Sequence, residues 1–352
     1  MSRKERAAVI EHIENQFKSY IPFIKAYKEE NNSSVAAWEL ETIPHELAAA
    51  FNILSLKIPS FLQDQGIPGS GYSSIADVFI TPAGECSSAD SLLHGIPAFK
   101  YINPSGYGED AAVSIHNETS RLLDSMFNID IKTINIETLQ EKTGLYEKLR
   151  RTVRGICAAR TADPRIITNK ELAVIFEAAL IYPPERACAL IEPLLHILKN
   201  GEIADEEPPL KAMIFSCDPF CGITADLIEK EGITIAEDDT PDGRRCFDIS
   251  LDHGSDYIFY ELLDAYSYKP YAPCIRPASE RYDLLYKLLR NYGIEAVIFL
   301  KSRKHPLSED LINYLRIKSM RNGIDVIAGY REDCPQMAAD YIKTIRSHLG
   351  KT

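Results

Sequence analysis

The stretch Ser33–Phe51, SSVAAWELETIPHELAAAF, decides the fold. Its first part, Ser33–Leu40 (SSVAAWEL), is a short apolar run that reads as a strand. Pro44–Phe51 (PHELAAAF) reads as an alanine-rich helix with proline in its first turn, where a missing N–H leaves no bond unmade. A strand therefore runs into a helix. Working outward, an amphipathic helix precedes it and ends near Lys28. After it, Ile53–Ile58, Asp77–Ile80 (DVFI) and Pro97–Ile102 (PAFKYI) are short apolar runs bounded by Gly and Pro. Strand and helix alternate, which predicts a parallel sheet covered by helices.

From Glu109 to Asn200 the period becomes helical, and Thr168–Glu171 (TNKE) offers the T-x-x-E capping box at one helix start. Gly201–Pro209 (GEIADEEPP), acidic and ending in proline, reads as a linker. The first rhythm then returns. Lys211–Cys217 (KAMIFSC) leads to a helix, Ile233–Asp238 (ITIAED) to a looser stretch and a helix from Ser279. Glu295–Lys301 (EAVIFLK) and Asp325–Ala328 (DVIA) are each followed by another helix. The predicted fold class is α/β: two Rossmann-like open parallel-sheet domains with a helical middle section. The expected domains are 1–205, with a helical extension over 109–200, and 206–352.

A chain of 352 residues is longer than one core usually serves, so two domains are expected. Hydrophobic residues make up 45% and charged ones 26%, the balance of a globular protein. The start carries Arg3, Lys4, Glu5 and Arg6 and has no unbroken apolar core of the signal-peptide kind, so a cytoplasmic location is expected. No run approaches the ~18 apolar residues of a membrane span, and a net charge of -12 argues against general binding to nucleic acid or anionic lipid. An anionic ligand would need a local cluster of basic residues. The cysteines are Cys86, Cys157, Cys188, Cys217, Cys221, Cys246, Cys274 and Cys334, expected as thiols or metal ligands rather than disulfides. Cys157 and Cys188, inside helical patterns, read as small buried apolar residues.

Ligands of open parallel sheets bind beyond the carboxyl ends of the strands. The segments to inspect are therefore Glu85 and Cys86, Cys217–Cys221, Asp239–Arg245 and Lys301–His305. Cys217-Asp-Pro-Phe-Cys221 places two thiols at a strand-to-helix turn, where helix amides favour thiolate and a metal or cluster could be held. Two small residues in a tight turn would read the same. Arg244 and Arg245, with Lys301, Arg303 and Lys304, fall on two strand-end loops at one edge of the second sheet. That is a place for phosphates, or equally a solvated surface or a set of salt bridges. Gly69-Ser-Gly71 does not close a strand and open a helix, so it is no dinucleotide fingerprint. A phosphate-binding lysine loop, H-E-x-x-H and G-x-S-x-G are all missing from the sequence.

Five segments in order resemble the D-component family of 2-hydroxyacyl-CoA dehydratases and benzoyl-CoA reductase subunits. Val35–Asn52 (VAAWELETIPHELAAAFN) is similar to the family's opening, a strand leading to Pro-x-Glu and an Ala-rich helix. Asp77–Pro104 is similar to its strand, cysteine loop and following strand. Glu229–Arg245 (EKEGITIAEDDTPDGRR) resembles its signature around DD and G-x-R. Pro273–Arg281 (PCIRPASER) has its Pro-Cys followed by Arg, and the chain from Gly323 ends as the family does.

The resemblance implies a subunit of a heteromeric enzyme that acts on a CoA thioester. In that chemistry one electron makes a ketyl radical, which expels the 2-hydroxyl and acidifies the β-proton. It also implies a 4Fe-4S cluster held by one cysteine from each of three loops, a homologous cluster-bearing subunit and an ATP-dependent activator. Cys86 matches the first ligand. Pro241 stands where the second belongs and Lys304 and His305 where the third belongs, and neither proline nor lysine replaces a thiolate on iron. That leaves three expectations. The chain shapes the site beside a cluster-bearing partner, it is a cluster-free binding or assembly subunit, or a cluster survives on Cys86, Cys217, Cys221 and Cys246. Glu46 matches the family glutamate near the acyl pocket, either as a proton relay or as negative charge in the first turn of its helix.

Overall fold

The computed structural model describes residues 3–38, 43–58, 72–83, 95–102, 104, 108–163, 165–199, 211–216, 228–229, 233–240, 242–268, 286, 289–291, 293–301, 309–321 and 324–330. Among these, the amino-terminal helical pattern forms two helices, α1 (Arg3–Phe17) and α2 (Tyr20–Asn31), the second closed by Asn32 in the left-handed conformation. Strand β1 (Ser34–Trp38) follows. Then come α3 (His45–Ala50), with Pro44 as its N-cap, and β2 (Ile53–Lys57). Strands β3 (Val78–Pro82) and β4 (Ala98–Tyr101) complete a parallel sheet in the order β2-β1-β3-β4. Central β1 is buried on both faces, as a strand covered from both sides must be, which is why Val35, Ala36, Ala37 and Trp38 show no polar alternation.

The helical middle consists of α4 (Glu109–Phe127), α5 (Ile136–Ala162), α6 (Asn169–Ile181) and α7 (Pro184–Lys199). The capping box forms as its spacing predicts: Thr168 Oγ1 accepts from the Glu171 amide, and the Glu171 carboxylate accepts from the Thr168 amide at 2.7 Å. Cys157 and Cys188 are buried in α5 and α7.

The second sheet repeats the topology of the first. Strands β5 (Lys211–Ser216), β6 (Thr234–Asp239), β7 (Ala296–Lys301) and β8 (Asp325–Tyr330) run parallel in the order β6-β5-β7-β8. Both sheets reverse strand order beside their first strand, the arrangement that opens a crevice at the strands' carboxyl ends. Met213, Phe215, Val297 and Phe299 form the centre of its core. Helix α9 (Glu309–Met320) covers it through Ile312 and Leu315. The expected linker at 201–209 lies outside the described residues.

One element departs from the sequence reading. The stretch after β6, expected to be loose, contains a 3-10 turn, Arg244–Phe247, and helix α8 (Ile258–Tyr268). Its sequence IFYELLDAYSY is aromatic on several faces, which blurs the helical period, yet Ile258, Leu262, Leu263 and Tyr266 make one buried face. Those residues, with Cys246, Phe247 and Ile249, pack into the core of the first sheet and the middle helices, not into that of the second sheet. The chain thus returns across the molecule between β6 and β7.

Candidate functional site

Two buried polar clusters lie where the sheets and the middle helices meet. The first is built on α3, whose proline-opened first turn presents Glu46 inward with no exposed surface. Its Oε1 accepts from Arg150 Nη1 of α5 at 2.5 Å, and its Oε2 accepts from the Tyr266 hydroxyl of α8 at 3.0 Å. Arg150 Nε also donates to Glu147 at 3.3 Å, and Glu147 accepts from Arg154 at 2.5 Å. Burial by itself would push the Glu46 carboxyl up. The Arg150 guanidinium, the neighbouring His45 and the bonds Glu46 accepts outweigh burial and hold it below the usual carboxylate range. Beside it, His45 stacks between Trp38 and Tyr146, with ring centroids at 5.2 Å and 6.0 Å, and its Nδ1 lies 2.9 Å from Ser55 Oγ.

The second cluster is the end of β6 and its turn. Asp238 accepts from the Thr240 hydroxyl at 2.8 Å and from the Arg244 amide at 3.2 Å. A Cβ on Gly243 would stand 1.8 Å from the Asp238 carboxylate and 2.3 Å from the Thr240 hydroxyl, so any side chain there would have to displace them and break their hydrogen bond. Arg244 pairs with Glu237 and, at 3.3 Å, with Asp248. Arg245 pairs with Asp239 at 2.7 Å. Burial pushes Glu237 up to about 8 and Asp238 up to about 6, against the pull of Arg244 on the first and of its hydrogen bonds on the second. Lys57, at the end of β2, ties this turn to the first sheet, reaching Asp242 at 2.6 Å and Glu177 of α6 at 3.1 Å. Burial alone would lower its pKa, but the two carboxylates raise it. Arg160 of α5 likewise donates to the Ile235 carbonyl of β6 and to Glu229 at 2.9 Å.

Of the residues singled out from sequence, Glu46, Arg244, Arg245 and Cys246 are described and lie in or beside these clusters. Lys301 ends β7. Cys86, Cys217, Cys221, Arg303 and Lys304 lie outside the described residues. The guanidinium groups of Arg244 and Arg245 meet carboxylates of their own chain, because acids buried at the end of β6 require countercharges. Cys246 is buried in the first core, 6% exposed. Sequence reading missed Arg150, Tyr266 and Lys57; Asp242 falls within the segment Asp239–Arg245 marked for inspection. The one available signal was the i,i+4 spacing of Arg150 and Arg154, which on its own describes any solvated helix face.

Among the described residues no group of three or more His, Cys, Asp or Glu side chains is arranged to hold a metal ion. With Cys246 buried in the first core and no such group beside it, the described residues do not fit an iron–sulfur cluster, while Cys86, Cys217, Cys221, Cys274 and Cys334 lie outside them. No described helix is long and apolar enough to cross a membrane.

Twin parallel sheets joined through helices, with buried charge where they meet, define the class as a two-sheet α/β subunit. The model of the 2-hydroxyglutaryl-CoA dehydratase D-component family matches residues 87–327, well over half of the chain, from β4 of the first sheet through the middle helices and into β8 of the second. The chain belongs to that family. No curated protein matches it. Among solved structures, one described as the SsGBP and GDP complex aligns with 90% of this chain and 99% of its own at 11% identity. Its TM-score is 0.26, too low a likeness to bear on fold or function.

Proposed function

We propose that this chain is one subunit of a heteromeric 2-hydroxyacyl-CoA dehydratase acting on a CoA thioester through one-electron, ketyl-radical chemistry. The observation that supports this reading is the family match over 87–327, which takes in β4 of the first sheet, the middle helices and the second sheet as far as Ile327. Pro241 and Lys304 stand where the family resemblance puts two of the three cluster cysteines, so delivery of the electron is assigned to a homologous subunit, recharged by an ATP-dependent activator. This chain contributes the wall of the acyl site. Glu46 is its buried carboxylate, kept ionised and immobile by Arg150 and Tyr266, and any basic residues that hold CoA phosphates come from the strand-end segment Lys301, Arg303 and Lys304. Arg244 and Arg245 then act on the site indirectly, by bracing the turn after β6.

The test is expression without oxygen, alone and together with the nearest encoded homologue that has all three cluster cysteines. The expected result is a stable hetero-oligomer that binds acyl-CoA, with iron and acid-labile sulfide accounted for by the partner. A monomer that neither joins the homologue nor binds acyl-CoA overturns the reading.

A further inference from the structure

Beside the Glu46 ion pair lies a small, partly open cavity of about 30 Å³, lined by Trp38 at the carboxyl end of β1, His45, Ser55, Arg150 and Tyr182 together with apolar side chains. Three of these residues bring hydrogen-bond donors that have no partner: Trp38 Nε1, Arg150 Nη2 and Tyr182 Oη. The three side chains are 2%, 4% and 3% exposed. Each such group costs about 1–3 kcal/mol if left unsatisfied, and the three residues that carry them line one cavity, so an occupant rich in acceptors would satisfy them together. No carboxylate lines it. Arg150 has spent Nη1 on Glu46 and Nε on Glu147, which leaves both protons of Nη2 available. Glu147 is itself shared with Arg154.

We infer that this cavity is a binding site for a carboxylate. A carboxylate offers about four lone-pair sites, matching two protons from Arg150 and one each from Trp38 and Tyr182, and a charge-assisted bond from Arg150 favours it over a neutral acceptor. The volume admits roughly two water-sized groups, so the ligand is a very small free acid or the carboxylate end of a longer one. The position suits a ligand, because β1 is the strand beside which sheet order reverses. The inference does not depend on the dehydratase reading, since neither CoA nor a partner subunit enters its test.

Trp38 is the only tryptophan of the chain, so its fluorescence reports on the cavity directly. The full chain is titrated with formate, acetate and butyrate at constant ionic strength, with sodium chloride as the control, and melting is followed in parallel. The expected result is a saturable change in Trp38 emission and a rise in Tm with carboxylates but not with chloride. Saturation by formate and acetate only assigns the site to a small free acid. Saturation by butyrate as well assigns it to the carboxylate end of a longer molecule. Tyr182→Phe, which keeps the ring and removes one donor, should weaken binding about tenfold; Arg150→Lys should abolish it and is read only if its melt remains cooperative. An emission change reproduced by chloride overturns the inference and leaves buried water as the occupant. So does no saturation up to about 100 mM, weaker than any specific site, or an unchanged affinity in Tyr182→Phe.

Discussion

Glu46 and Cys246 show how burial changes what a residue type means. At the start of a helix a glutamate ordinarily interacts with the first-turn amides and the solvent, for about 0.3–1 kcal/mol. Here it is fully enclosed and carries the positive charge of Arg150 as its obligatory partner. Glu46→Gln removes that partner and leaves Arg150 buried with Glu147 alone, so a loss of about 3–5 kcal/mol is expected in denaturant unfolding. A loss under 1 kcal/mol would mean that Arg150 finds solvent. Cys246 was a candidate ligand by sequence, and its side chain lies among Phe247 and the other members of the first core. Cys246→Ala should leave iron and sulfide content unchanged in protein purified without oxygen, with or without the homologous subunit. A fall in iron would return Cys246 to the ligand set.

At the scale of elements, β6 and its turn form a unit whose charge state is tied to folding. Glu237 and Asp238 have folded values of about 8 and about 6, above the ~4.3 and ~3.9 of the unfolded chain. The folded state therefore holds protons that the unfolded state has released, and linkage makes stability fall as pH rises from about 4 to about 8, then level off. Glu46 has the opposite sign. Its folded pKa is depressed, so its contribution is present above ~4.3 and is lost as pH falls through the folded value. Stability should peak at about pH 4 and decline on both sides, which chemical denaturation from about pH 2 to about pH 9 would show. In Glu237→Gln the alkaline slope should shrink, and an unaltered slope would place its origin elsewhere. The same unit explains what could be read beforehand. The apolar run ITIA marked the strand, while the following acids and arginines looked like a surface, because nothing in EDDTPDGRR reports that they neutralise one another.

For the whole molecule, Lys57 is the residue that joins the two halves most directly. It sits on the first sheet and binds Asp242 of the second sheet's turn and Glu177 of the middle section. The Phe247–Tyr268 segment adds an apolar attachment by packing into the first core. Lys57→Met would leave two buried carboxylates facing an apolar side chain, with an expected cost of about 3–5 kcal/mol. It should also give earlier protease cleavage near the turn after β6 than in the rest of the chain. Cleavage unchanged from the parent protein would assign the joining of the halves to the apolar contact alone.

Periodicity and punctuation are local, so the sequence by itself determined that strands alternate with helices, that two parallel sheets flank a helical section, and that a capping box opens at Thr168. The order of its motifs also identified the family. What only the tertiary structure decided is which charges meet. Arg150 and Glu46 are 104 positions apart and Lys57 and Asp242 are 185 apart, separations over which no local pattern can signal a contact. Helix α8 was hidden for a related reason, since its apolar residues acquire a single buried face only once the first core is there to receive it. Burial then converts residues that would be solvated on a surface into obligatory partners, because a charge out of water must find its counterion within the fold.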